Sequence, residues 1–338
     1  MRQFACRAIR PRRIARNTHA ILAEECGMRR VIDPAGGSWA VEALTDQMAS
    51  GAWKRFQEIE AAGGIQAALQ SGLIQQSVET VREEKARNIQ RRRDVIVGTN
   101  SYPNATEELL RPATIDYASA SNQRIDTIAK WKSSRDTASV EAACGKVLTA
   151  TEPVEALIAA AKSGATIKEL MAALAPGIGP SIAPIPLMRA SGDYEKLRFA
   201  AKELESAGTP PLLHQLNMGP SRRYRIRADW TSAFFQVGGL QVMNQDDFPD
   251  AAEALRGLEK SGARVAVIVS DDEAYATVVE PLARAIKATD SHIKVLLAGA
   301  PGDNEQALRD AGVDDFVHVR VNNYAFNRAL LESMGAKL

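Results

Sequence analysis

The chain has 338 residues, 45% apolar and 25% charged, a balance ordinary for globular protein and a length beyond the ~250–300 residues at which single cores split. Its 42 basic residues nearly cancel 41 acidic ones, giving a net charge of +1, so no overall field steers it to nucleic acid or to an anionic membrane. Aromatic content of only 5% argues against a stacking platform for single strands, and no apolar run approaches the ~20 residues that span a bilayer.

Met1 to Arg16 is rich in arginine and lacks acids. That gives it a superficial likeness to a transit peptide, but no apolar period organises Met1 to Arg12, and a truncated or altered start is the favoured reading. Cys6, Cys26 and Cys144 lie far apart with no C-x-x-C pair, which disfavours a disulfide framework and fits a reducing cytosol. His19, His214, His292 and His318 have no metal-ligand spacing.

Residues from about 13 to 175 read as helices. Thr45 is a candidate N-cap, followed by Met48, Ala49, Ala52, Trp53, Phe56 and Ile59 at helical spacing. Gly63-Gly64 stops that helix, because glycine reaches the left-handed cap conformation at little cost. Ile74, Val78 and Val81 continue a stripe toward Arg91-Arg92-Arg93, a charge run read as a solvated helix face. Further helices are predicted at about 118–131, 135–149, 153–163 and 166–174, with Gly164 separating the last two. Asp33-Pro34-Ala35-Gly36-Gly37-Ser38 invites a phosphate-loop reading, but it lacks a Walker lysine and spacing. It is read as a turn, with Trp39 anchoring it in a core.

The proline-rich stretch from Pro176 to Pro186 reads as a linker. Its Gly177-x-Gly179 has no strand before it and no third glycine opening a helix, which rules out a dinucleotide fingerprint. From Pro211 the pattern changes. Strand-like runs at Leu212–Met218, Leu240–Met243, Arg264–Ser270, Lys294–Ala300 and Phe316–Arg320 alternate with helical segments, predicting parallel strands covered on both faces. The expected fold class is therefore α/β: a helical N-terminal part over 1–175, a linker over 176–205, and a flavodoxin-like, doubly wound domain over 206–338 with strand order 2-1-3-4-5.

Several blocks carry a family resemblance. Arg13-Ile-Ala-Arg-Asn-Thr-His-Ala-Ile-Leu-Ala-Glu-Glu runs on into Val31-Ile-Asp-Pro-Ala-Gly-Gly-Ser-Trp and Val41-Glu-Ala-Leu-Thr. Ala52-Trp53-Lys-Arg-Phe56-Gln57-Glu58-Ile59-Glu60, Gly63-Gly64 and Val97-Gly98-Thr-Asn100-Ser-Tyr102-Pro103-Asn104 follow in order. The chain resembles the methylmalonyl-CoA mutase family, adenosylcobalamin-dependent isomerases of acyl-CoA thioesters. The resemblance covers nearly everything after residue 12 and is weakest between about 110 and 205. It implies that the N-terminal blocks correspond to the end of a substrate-binding (β/α)8 barrel, and that the final third is a cobalamin-binding type of domain.

In catalytic members, the first strand of that domain runs into Asp-x-His-x-x-Gly, whose histidine ligates cobalt. Setting Met218-Gly219 against the family's equivalent places Ser221 at the aspartate, Arg223 at the histidine and Ile226 at the glycine. Arginine has no free lone pair and cannot ligate cobalt. The family's Ser-x-Leu becomes Ser270-Asp271-Asp272, setting carboxylates beside the pocket for the nucleotide tail, and its Gly-Gly becomes Gly299-Ala300. These pocket positions (Ser221, Arg223, Ile226, Ser270 and Gly299) are thus degenerate, and no catalytic or metal-ligating residue is assigned. The resemblance implies the small, β-type subunit of a heterodimer. It would bind no cofactor itself, with adenosylcobalamin on a large catalytic partner that interconverts methylmalonyl-CoA and succinyl-CoA. Two alternatives stand beside this one: a free-standing interaction module, and a mutase fragment that binds cobalamin without the histidine.

Overall fold

The computed structural model describes residues 9–104, 116–175, 180–244 and 246–338. Cys6 and the Gly177-x-Gly179 segment lie outside the described residues. The first half is helical: α1 (Ile9–Glu24), α2 (Trp39–Ala61), α3 (Gly64–Gln70), α4 (Leu73–Gln90), α5 (Tyr117–Ser134), α6 (Thr137–Gly145), α7 (Pro153–Lys162) and α8 (Ile167–Leu174). The chain divides into two compact units, Met1–Leu73 with Leu110–Ala183, and Ile74–Leu109 with Pro184–Leu338.

In the helical unit, α2 starts at Trp39 behind Ser38, earlier than the expected cap at Thr45. Thr45 lies inside the helix, and its hydroxyl donates back to the Val41 carbonyl at 2.8 Å. Trp39 is 91% exposed, so it does not anchor the turn before it in a core. That turn is closed by its own backbone, with Gly36 N–H donating to Asp33 O at 3.2 Å and Ser38 N–H to Ala35 O at 3.1 Å. Gly63, at φ 95, ends α2 at the expected place. No residue of α2 is buried, and Trp53 and Phe56 stack on its surface with ring centroids 5.3 Å apart.

Helices α6, α7 and α8 bury Val140, Val147 and Ala160 among themselves. Thr166 and Glu169 form a capping box at the start of α8. The Glu169 carboxylate also accepts two bonds from Arg135, at 2.8 and 2.6 Å. Arg135, together with backbone and hydroxyl donors of Thr166, holds the Glu169 carboxyl far below the usual carboxylate range. A depressed carboxyl contributes stability that is complete above its unfolded pKa of about 4.3 and is lost as pH falls toward the folded value. The expected result is a melting temperature that declines with acidification below about pH 5. In Glu169→Gln the decline should be shallower and the neutral-pH value lower, both read by circular dichroism on the full chain. Equal slopes in the two proteins would remove Glu169 from this account.

The second unit adds α9 (Gly192–Ser206), β1 (Leu212–Met218), α10 (Ser221–Gln236), β2 (Gln241–Met243), β3 (Asp247–Phe248), α11 (Ala251–Ser261), β4 (Val265–Val269), α12 (Asp272–Thr289), β5 (Lys294–Leu297), α13 (Glu305–Asp310), β6 (Asp315–Phe316) and α14 (Asn323–Ser333). The strands are parallel in the order β2-β1-β4-β5-β6, and the two-residue β3 also pairs with β1. Apart from that extra strand, this is the expected doubly wound order. Alternation along β4 divides the core: Val265, Val267 and Val269 enter one cluster with α9, α10 and α14, while Ala266 and Ile268 enter another with α11 and α12.

Two segments sit differently from the expected boundaries. Residues 192–206 are not linker. Tyr194, Leu197, Ala200, Ala201 and Leu204 are buried along α9, a helical period that a reading dominated by the preceding prolines overlooked. Ile74–Leu109, assigned to the helical half, belongs to the unit that holds the sheet. Arg198 of α9 fixes it there, donating to Gly98 O at 2.8 Å and Thr99 O at 2.7 Å. Ile89 joins the same core cluster as Tyr194 and Leu197.

Candidate functional site

Open parallel sheets bind ligands outside the carboxyl ends of their strands, where the strand order reverses. Here that point lies between β1 and β4. Beyond β1 the chain turns at Gly219, whose φ of 80 suits glycine, and whose N–H donates to Phe248 O at 2.8 Å. Helix α10 then begins at Ser221. Beyond β4, Asp271 caps α12 by accepting from Ala274 N–H at 2.8 Å. Asp272 and Glu273 occupy the first turn of α12, where acids favour the helix dipole. The acidic pair read from sequence as pocket-lining carboxylates therefore has a local structural reason to be there.

Side chains of the protein bridge the edges of this crevice. The Ser270 hydroxyl, fully buried, donates to Met218 O at 2.9 Å and so bridges the ends of β4 and β1. Arg227 donates to Ser270 O at 2.7 Å and to Asp272 at 2.8 Å, with its guanidinium 5.1 Å from the centre of the Tyr275 ring. Tyr275 accepts from Ser270 N–H at 3.1 Å and donates to Ala298 O at 2.6 Å; burial pushes its phenol pKa up, so it stays protonated and able to donate. Arg223 lies within 3.6 Å of Asp271 and 3.7 Å of Glu273. A Cβ on Gly299 would stand 3.3 Å from Tyr275, so glycine lets that ring close over the end of β5.

Of the five positions singled out from sequence, Arg223, Ser270 and Gly299 meet in this layer. Ser221 is exposed at the start of α10, and Ile226 is 89% exposed, which removes it from the pocket lining expected for it. Sequence reasoning passed over Arg227 and Tyr275. The signal available was spacing: Arg223 and Arg227 are one helical turn apart on α10, facing Asp271 and Asp272 at the start of α12. Replacing Arg227 with Ala should cost about 1–2 kcal/mol, the scale of a charged hydrogen bond and a cation–π contact in a part-buried site. Urea unfolding of the full chain measures this, and a change near zero would mean that the layer is loose.

The histidines are elsewhere. His214, 1% exposed, packs edge-on against Phe248 with ring centroids 5.8 Å apart. Burial lowers its pKa despite Asp246 at 3.6 Å. His318 follows β6, and its Nδ1 accepts from Arg320 N–H at 3.3 Å. Among the described residues no cluster of three potential ligands is placed to hold a metal, and no helix is long and apolar enough to cross a membrane.

Fold and site together define a doubly wound α/β domain whose strand ends are bridged by its own side chains, carried on the same chain as a helical unit. Residues 4–180 match the methylmalonyl-CoA mutase family, and the chain belongs to that family. It is similar to the methylmalonyl-CoA mutase small subunit of Streptomyces virginiae, at 31% identity over 96% of this chain and 41% of that protein. The small subunit from Porphyromonas gingivalis is 26% identical over 96% of this chain and 43% of its own length. The large subunit of Streptomyces virginiae is 28% identical over 89% and 44%. The chain thus spans less than half the length of these curated relatives. A solved cobalamin-binding protein from Desulfitobacterium hafniense DCB-2 aligns with a TM-score of 0.33 and 13% identity, covering 74% of this chain and 97% of that one.

Proposed function

We propose that this chain is the C-terminal part of a small, non-catalytic mutase subunit that supports a larger catalytic chain. The observation that carries the reading is the bridged crevice. Arg223 stands at the position of the cobalt-ligating histidine and is engaged with Asp271 and Glu273, while Ser270 and Arg227 bridge the strand ends beside it. These residues do not fit adenosylcobalamin ligated in the family's way, since a guanidinium has no lone pair for cobalt. In the assembled enzyme, cofactor and substrate chemistry belong to the partner, which would interconvert methylmalonyl-CoA and succinyl-CoA. The relatives named small subunit favour this reading over a free-standing module.

The helical unit supplies a surface suited to such a partner. Trp39, Leu44, Met48, Trp53 and Phe56 all lie exposed on α2, with Trp53 and Phe56 stacked on one another, apolar surface of a kind that a partner covers. Barrel-end residues of the family would cover such a face from within a complete subunit or across an interface. The test is co-expression with the large mutase chain of the same organism followed by affinity capture. The parent chain should co-purify, and Trp53→Asp should reduce recovery at least ~10-fold, the scale of losing one buried aromatic anchor. Failure of the parent chain to co-purify would overturn the subunit reading.

A further inference from the structure

Arg92 and Tyr102 are the non-glycine residues with positive φ among those described, at 59 and 51. Both line a single cavity of about 470 Å3, together with Arg91, Trp230, His318 and Val321, within the range of roughly 300–1,000 Å3 typical of small-molecule sites. Arg92 follows the end of α4. Its N–H donates to Ile89 O at 3.0 Å, and the next N–H, of Arg93, donates to Asn88 O at 2.8 Å. Such a left-handed turn after a helix is where glycine is preferred, so an arginine there carries a steric cost that the turn itself does not require.

Its charge carries a second cost. Nη1 of Arg92 is buried with no hydrogen-bond partner among the described residues. Burial lowers the guanidinium pKa, and the groups acting against burial are the phenols of Tyr194 and Tyr102, not a carboxylate. Among the described residues of the cavity lining, Asp229 is the one acid against two arginines. His318 lines the same cavity, its Nδ1 accepting from Arg320 N–H at 3.3 Å. A part-buried guanidinium lining the cavity beside a second arginine is complementary to a multiply charged anion.

We propose that this cavity binds an organic phosphate, its phosphate groups on Arg92 and Arg91 and its apolar body against Trp230 and Val321. The site is separate from the crevice at the β1–β4 switch point and does not depend on the subunit reading. Isothermal titration of the full chain with adenosine diphosphate, inorganic pyrophosphate and adenosine tests it. Adenosine diphosphate should bind, pyrophosphate more weakly, and adenosine not measurably. Arg92→Gly should weaken adenosine diphosphate binding at least ~10-fold, as expected for losing a charged anchor, while raising the melting temperature, since glycine suits the left-handed turn. No heat with adenosine diphosphate at millimolar concentration overturns the proposal. So does adenosine binding as tightly as the diphosphate, or pyrophosphate matching it, or an Arg92→Gly chain that binds it like the parent. Should Arg92→Gly melt below the parent, Arg91→Ala decides, with lost affinity supporting the site and retained affinity overturning it.

Discussion

Asn100→Ala should destabilise the α/β unit by about 2–3 kcal/mol, as expected when one buried and two part-buried hydrogen-bonding groups lose a shared partner. The side chain of Asn100 is fully buried. Its amide donates to Ile89 O and to Asp94 O, both at 2.8 Å, and its carbonyl accepts from Ile96 N–H at 2.8 Å. One residue thus ties the end of α4 to the loop that follows. The same loop presents Gly98 O and Thr99 O to Arg198, so loosening it also strips the Arg198 guanidinium of acceptors. Alanine leaves those groups without their partner, the Ile89 carbonyl in a buried position. Urea unfolding should show a lower midpoint and an earlier exposure of Trp230, which packs against the same core. A loss under about 1 kcal/mol would mean that the 74–104 segment is not an integral part of this unit.

Asn100 also shows where sequence reasoning stopped. Val97-Gly98-Thr-Asn100 was legible as a family block, yet nothing in local composition says that this block packs onto a sheet beginning over 100 residues later. That association is made by long-range contacts, Arg198 to Gly98 and Tyr194 to Gln90, to which hydrophobic periodicity is blind. The sheet itself was readable because Val265–Val269 and Leu212–Met218 are short, apolar and β-branched or aliphatic, and parallel strands buried on both faces demand that composition. Strand ends were less readable. Ala298 N–H still donates to Ile268 O and Val317 N–H to Leu297 O, but beyond them the chain leaves the sheet short of the expected ends at Ala300 and Arg320. The crevice was half legible: Arg223 could be placed by alignment to a motif, whereas its partners Asp271 and Glu273 come from another helix. Ile226, next in that motif, points away, because α10 turns one face to the sheet and residue 226 falls on the other.

Titration of the purified chain with hydroxocobalamin should leave the spectrum of the free corrinoid unchanged, with no histidine-ligated, base-off species. The decisive comparison is the double replacement Ser221→Asp with Arg223→His, which restores the identity of the two motif residues but should also fail to bind. The obstacle is the wall of the crevice and not the missing ligand alone. Ser270 would still bridge β4 to Met218 O. Arg227 would still span from Ser270 O to Asp272. Tyr275 would still lie over Gly299 and donate to Ala298 O. Opening a path for a nucleotide tail means breaking these bonds, and each group left unpaired where it is buried costs about 1–3 kcal/mol. At roughly 1.4 kcal/mol per tenfold in affinity, two or three such groups cancel several orders of magnitude of binding. Adding Arg227→Ala and Tyr275→Phe to the double replacement should therefore bring binding closer to the detectable range than the double replacement alone. A micromolar complex with the unaltered chain would refute the bridged-crevice reading outright. A micromolar complex appearing with the double replacement alone would place the whole defect at the ligand and acquit the wall.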